Sequence, residues 1–136
     1  MIVTPYIGAM ALLDFLTDEL GTWIHLYTND LTPYAGTVLT DFVEASFPGY
    51  APVQVKTWSV AMLQDGRAVT VSDPRTWTLP SAIPAVEVFG YFVTQGKSGA
   101  LLWVERRTAG PIIMQNAGDQ ATVIPRLTLR GDPDSG

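Results

Sequence analysis

VEVFGYFVTQGKSGALLWVER, Val86 to Arg106, decides the fold. Val86 to Thr94 and Ala100 to Arg106 are rich in β-branched and aromatic residues, and the polar loop QGKSG lies between them. Two such runs on either side of a short glycine-containing loop predict a β-hairpin. The pattern repeats along the chain. Val53 to Leu63 and Arg67 to Val71 flank Asp65-Gly66, the strongest short hairpin signal present. Trp77 to Leu79 is a short strand between Pro74 and Pro80. Ile112 to Met114, Ala121 to Ile124 and Arg126 to Leu129 complete the set, with Ala117-Gly118-Asp119 as a third turn. Upstream, Thr22 to Thr28 reads as a strand with Trp23, His25 and Tyr27 on one face and Ile24 and Leu26 on the other. Strands at this spacing, joined mostly by hairpins, predict a mainly β fold: an antiparallel β-sandwich or barrel, jelly-roll or immunoglobulin-like.

Two helices are expected beside the strands. Thr4-Pro5 supplies an N-cap and a first-turn proline, Met10, Leu13, Leu16 and Leu20 recur at helical spacing, and Gly21 is the stop. TVLTDFVEASF, Thr37 to Phe47, is expected as a short second helix ended by Pro48-Gly49. Residues 1–130 then form one β-rich domain with an N-terminal arm at 1–5, and the polar stretch 131–136 is a flexible tail.

At 136 residues, such a domain buries roughly two-thirds of its unfolded surface. There is no cysteine, so neither disulfides nor thiolate–zinc sites contribute. Apolar residues make up 47% of the chain and charged ones only 15%, more apolar character than a small monomer needs. That balance points to apolar surface covered by other subunits. The net charge of −5, with no basic run, argues against nucleic acid and anionic membranes. No segment approaches the roughly 20 apolar residues of a membrane span. Ile7 to Leu16 lacks a signal peptide's basic flank and cleavage pattern, and is read as part of the fold.

Reactive chemistry is sparse. His25 is the only histidine, and the nearest acid downstream, Asp30, lies beyond the strand end. A catalytic histidine needs a nucleophile or acid in reach and a third group to orient it, and a metal needs more ligands than one imidazole. HLYTNDLTP is therefore read as a strand running into a turn, with a small hydrolase built on His25 and Asp30 as a lesser hypothesis. Asp14/Asp18 and Asp41/Glu44 stand at helical spacing and are expected on solvated helix faces rather than across a glycosidase cleft. GKSG, Gly96 to Gly99, lacks the upstream glycine and following helix of a phosphate loop. Arg130-Gly131-Asp132 is a chance tripeptide at a fraying end, and Asp132-Pro133-Asp134 lacks the ligands of a calcium loop. Trp58, Trp77 and Trp103 are core fillers or, alternatively, the platform of a glycan-binding module. No catalytic residue, metal or cofactor is expected.

The stretches LYTNDLTP, TVLTDFVEASFPGY, GYFVT and LLWVER, in this order between roughly Leu12 and Leu129, resemble a group of small proteins encoded among the structural genes of tailed bacteriophages and their prophages. The resemblance implies a virion component, first of all a capsid decoration or cement protein, made in the host cytoplasm and carried in the virion. Its partners would be the major capsid protein or other virion proteins, and its own copies in a homo-oligomer, with a trimer favoured. A tail or head–tail connector component and a glycan-binding receptor-recognition module are the alternatives. Large apolar side chains in loops and at the chain end, Ile2, Val3, Tyr6, Tyr34, Phe47 and Tyr50, are the expected interface residues, unless they close the ends of the barrel instead.

Overall fold

The computed structural model describes residues 21–34, 36–56, 58–59, 62–64, 67–97 and 99–130, with backbone alone at 64, 67 and 128–130. The expected N-terminal helix and arm, with Ile2, Val3 and Tyr6, lie outside these residues, as does the 131–136 tail. Eleven strands are described: β1 (Thr22–Tyr27), β2 (Val53–Val55), β3 (Met62–Gln64), β4 (Arg67–Val71), β5 (Arg75–Thr78), β6 (Val86–Val88), β7 (Gly90–Gln95), β8 (Leu101–Arg106), β9 (Ile112–Met114), β10 (Gln120–Val123) and β11 (Arg126–Arg130). The pairings that join β1 to β7, β7 to β8, β3 and β11 to β4, β5 to β10 and β6 to β9 are all antiparallel, so the protein is mainly β as its hairpin spacing predicts.

The chain packs as two compact units. The larger comprises Thr22–Gln54 and Pro74–Val123. Its main sheet runs β2-β1-β7-β8, and β5–β10 and β6–β9 form two further ladders. β1 is met by β7 without a break from Thr22↔Gln95 to Tyr27↔Gly90. The alternation expected for β1 is present, but both of its faces are covered: Ile24, Leu26 and Tyr27 have no exposed surface and His25 only 3%. Sealing Ile24, Leu26 and Val93 from water contributes on the order of 1.5–3 kcal/mol each. The hairpin of Val86 to Arg106 forms through β7 and β8, where Gln95 N–H donates to the Ala100 carbonyl. Close approach explains Gly90: a Cβ there would lie 2.3 Å from the Glu105 carbonyl oxygen and 2.8 Å from the Tyr27 hydroxyl.

In the smaller unit β4 lies between β3 and β11. Pairing of Met62 with Val69 and Leu63 with Ala68 is the hairpin expected around Asp65-Gly66, whose own two residues are outside the description. Ala68, Val69, Thr70 and Leu127 are buried there, and Ser59 bonds Val71 through both its N–H and its hydroxyl.

Three expectations are corrected. Thr37 to Phe47 is not a helix: Leu39–Asp41 makes a single 3-10 turn and the chain then runs extended. Glu44 forms an antiparallel bridge to Tyr27, and Ala45 N–H donates to the Leu26 carbonyl. The physical reason is competition. The Asn29 amide donates to the Asp41 carbonyl at 2.8 Å and accepts Val43 N–H at 2.9 Å, pulling a segment rich in valine and threonine alongside β1. Asp41 and Glu44 consequently share no helix face. Secondly, Val86 to Thr94 is two strands rather than one. Phe89 breaks the run by donating to the Tyr27 carbonyl and accepting from Arg107 N–H, so β6 pairs with β9 while β7 pairs with β1 and β8. Thirdly, the described residues of Val53 to Leu63 form the short β2 and the start of β3, with an isolated bridge from Trp58 to Ser72 between them, rather than one continuous strand. Ala117-Gly118-Asp119 is a turn as expected. Gly118, at φ 90°, and Asp119 clasp Leu79 through two 2.8 Å backbone bonds, and β9 and β10 find different partners.

Candidate functional site

His25 is a buried polar residue of the larger unit, 3% exposed, and its surroundings are a continuous row of hydrogen bonds. β1 carries His25 opposite Phe92 in β7, and the two rings stack at 4.7 Å with an interplanar angle of 4°. Phe42 stacks on the other side of Phe92 at 4.5 Å and meets Tyr27 edge-on at 5.0 Å. The imidazole is thereby clamped in one orientation. Nδ1 lies 2.9 Å from Glu44 Oε2 and Nε2 lies 2.9 Å from Thr94 Oγ1. The Thr94 hydroxyl in turn donates to the Gly96 carbonyl at 2.5 Å. At the other end Tyr50 donates its phenolic proton to the same Glu44 oxygen at 2.6 Å, and its own oxygen accepts Leu26 N–H at 3.2 Å. Burial above all, then the bond to Glu44, pushes the Tyr50 phenol well above its ordinary ionisation range, against the lowering by Leu26 N–H.

Hydroxyl, imidazole and carboxylate in line have the connectivity of a nucleophile relay. Thr94 is 1% exposed, and its one hydroxyl proton is directed to Gly96 rather than held for transfer. A nucleophile must be reachable by its substrate, and here the Thr94 hydroxyl is covered while the Glu44 side chain is 40% exposed. What the arrangement does is tie three pieces of chain together: β1, the 42–50 segment and the end of β7, where the register with β8 shifts between Val93 and Thr94.

Asp30, the partner expected for His25 in a hydrolase, is elsewhere. It pairs with Arg106 at 2.7 Å, and Arg106 also donates to the Leu31 carbonyl at 3.0 Å and lies over the Phe89 ring. Tyr27 donates to that same carbonyl, and its phenol is raised chiefly by burial, with Arg106 lowering it and Asp30 raising it. The 95–100 loop behaves as a hairpin tip, with Lys97 placed 5.9 Å over the Trp23 ring. Trp58 and Trp77 are buried, Trp77 donating to the Ala51 carbonyl and stacking on Tyr50 at 6.1 Å.

Of the expected interface residues inside the described chain, Tyr34 is 70% exposed. Phe47 is buried against Tyr50 and walls an open recess of about 380 Å³ with Pro48, Ile83 and Pro84. Tyr50 is half-buried and committed to Glu44. The recess offers two hydroxyls, Thr28 and Ser46, and no charged group. Sequence reasoning missed Glu44 and Thr94 as partners of His25, which stand 19 and 69 positions away. Trp23-x-His25 facing Phe92-x-Thr94 was the available signal, since it needed only the β1–β7 register.

Among the described residues no group of three or more histidine, aspartate or glutamate side chains is placed to hold a metal ion, and no helix is long and apolar enough to cross a membrane. No protein-family model matches the chain, and no curated protein matches it either.

Proposed function

We propose that this chain is a structural component of a tailed-phage virion, a decoration protein that seats on the major capsid protein of the head as a homo-oligomer, trimeric by preference. The phage assignment rests on the resemblance carried by LYTNDLTP, TVLTDFVEASFPGY, GYFVT and LLWVER. A structural rather than catalytic role is supported by one observation above others: both nitrogens of the only histidine are consumed in a buried row that joins separate segments of the fold. We further propose that the antiparallel sheets are arranged as a sandwich, jelly-roll or immunoglobulin-like. The glycan-binding alternative loses support from Trp58 and Trp77, which fill the interior rather than line a platform. Immunogold microscopy of purified particles of the source phage tests the reading. Label over the head is expected, label confined to the tail would reassign the protein to a connector or tail role, and unlabelled particles would overturn the structural reading.

A further inference from the structure

Nine large hydrophobic side chains are exposed among the described residues, and four fall within ten positions of one loop: Tyr34 at 70%, Val38 at 52%, Leu39 at 37% and Val43 at 57%. Solitary exposed apolar residues are ordinary, whereas a cluster needs a reason. This loop is also built to hold its shape. Tyr34 and Thr37 close a small ring, with Tyr34 N–H donating to the Thr37 hydroxyl and Thr37 N–H to the Tyr34 carbonyl. Val38 N–H donates to the Asp41 carboxylate and Asp41 N–H returns to the Val38 carbonyl. Asn29 grips both Asp41 and Val43, and Thr28 binds the Val43 carbonyl through its N–H and its hydroxyl. The Tyr34 ring lies over Gly36, where a Cβ would come within 2.6 Å of it. The loop backbone is thus held by its own hydrogen bonds while four apolar side chains stay exposed, so docking costs little conformational freedom.

Charge selects the occupant. Between Gly21 and Val55 the chain carries Asp30, Asp41 and Glu44 and no lysine or arginine. Asp30 is answered by Arg106 and Glu44 by His25, while exposed Asp41 has no ion-pair partner among the described residues. Two copies meeting loop to loop would bring acids from both together, with no lysine or arginine from residues 21–55 of either to offset them. Of the four exposed side chains only Tyr34 offers a flat ring on which a sugar could stack, the other three being aliphatic.

We infer that the Tyr34–Val43 loop is a preformed docking surface for a different protein, one presenting an apolar centre rimmed by lysine or arginine. Resting on the function proposed above, that protein is the capsid subunit. The oligomer contacts of the chain itself use other surfaces.

The experiment is co-sedimentation of the purified protein with source-phage heads that lack it, comparing the wild type with the Val38→Ser/Val43→Ser double variant and with Asp41→Asn. Both variants change exposed positions, and the amide introduced by Asp41→Asn keeps an oxygen for Val38 N–H, so melting temperatures should match the wild type and are measured as the folding control. The expected result is about a tenfold or greater loss of affinity in the double variant with an unaltered oligomeric state. For Asp41→Asn, weaker binding with a flatter salt dependence is expected. Equal binding by wild type and double variant overturns this assignment and leaves the decoration reading standing. Absence of binding by the wild type overturns both. Loss of self-association in the double variant makes a second copy the occupant and overturns the inference.

Discussion

Thr94→Val tests the reading of the His25 row, because valine keeps the shape of threonine and removes only the hydroxyl. The wild-type oxygen serves Nε2 of His25 at 2.9 Å and the Gly96 carbonyl at 2.5 Å, inside a residue that is 1% exposed. A buried polar group left without its partner costs about 1–3 kcal/mol. His25, 3% exposed, bears that cost in full, whereas Gly96 is half-buried and regains some hydration. The expected loss is about 2–4 kcal/mol, a large part of the 5–15 kcal/mol that holds a typical domain together. Urea unfolding followed by tryptophan fluorescence measures it. Thr94→Ser, which keeps the hydroxyl and loses a methyl, should cost about 1 kcal/mol. A valine variant within about 0.5 kcal/mol of wild type, or a serine variant as damaged as the valine one, would refute the claim that the hydroxyl holds this row together.

Three further outcomes are expected. Because the phenol of Tyr50 is raised above its ordinary value of 10.0, the folded state keeps the neutral form and the unfolded state ionises first. Its stabilising contribution is therefore complete below about pH 10 and is lost above it, at up to about 1.4 kcal/mol per pH unit; ultraviolet titration should find a late-ionising tyrosine that disappears in Tyr50→Phe. Gly90→Ala must push β7 from β8, since its Cβ would meet the Glu105 carbonyl and lie 2.9 Å from Arg106 Cα; a loss of about 2–4 kcal/mol is expected in thermal unfolding, and an unchanged melting curve would contradict the packing described. The Asp119 carboxyl, held below its usual range first by Asn116 N–H and then by Gln115 N–H, should titrate low by NMR. Its support of the turn is present at neutral pH and lost on acidification, and Asp119→Ala should speed amide exchange at residues 115 and 116.

Local signals carried the strands well, as Ile112–Met114 and the β7–β8 hairpin illustrate, because alternation and turn chemistry act over a few residues. Phe89 shows where this stops. Nothing in Val86 to Thr94 marks a break, and the break exists because Tyr27, far upstream, supplies an acceptor. The missing second helix has the same origin in Asn29, a residue read correctly as turn-forming but whose amide reaches 12 and 14 positions ahead. His25 was legible as a packed residue. Its partners were not, since both depend on strand order, which hairpin spacing does not encode.

The pairing of β1 with β7 has a consequence for how the protein is made. Thr22–Tyr27 leaves the ribosome before its neighbour Gly90–Gln95 has been synthesised, the His25–Thr94 contact spanning 69 positions. At about 5–20 residues per second, the strand TWIHLY waits several seconds with its ladder unmade. The β7–β8 hairpin closes over a short loop at small entropic cost, and β7 offers the edge on which β1 settles. Maturation of the larger unit is therefore paced by translation and by one long-range closure, and the nascent chain is most vulnerable to association with its own copies during that interval.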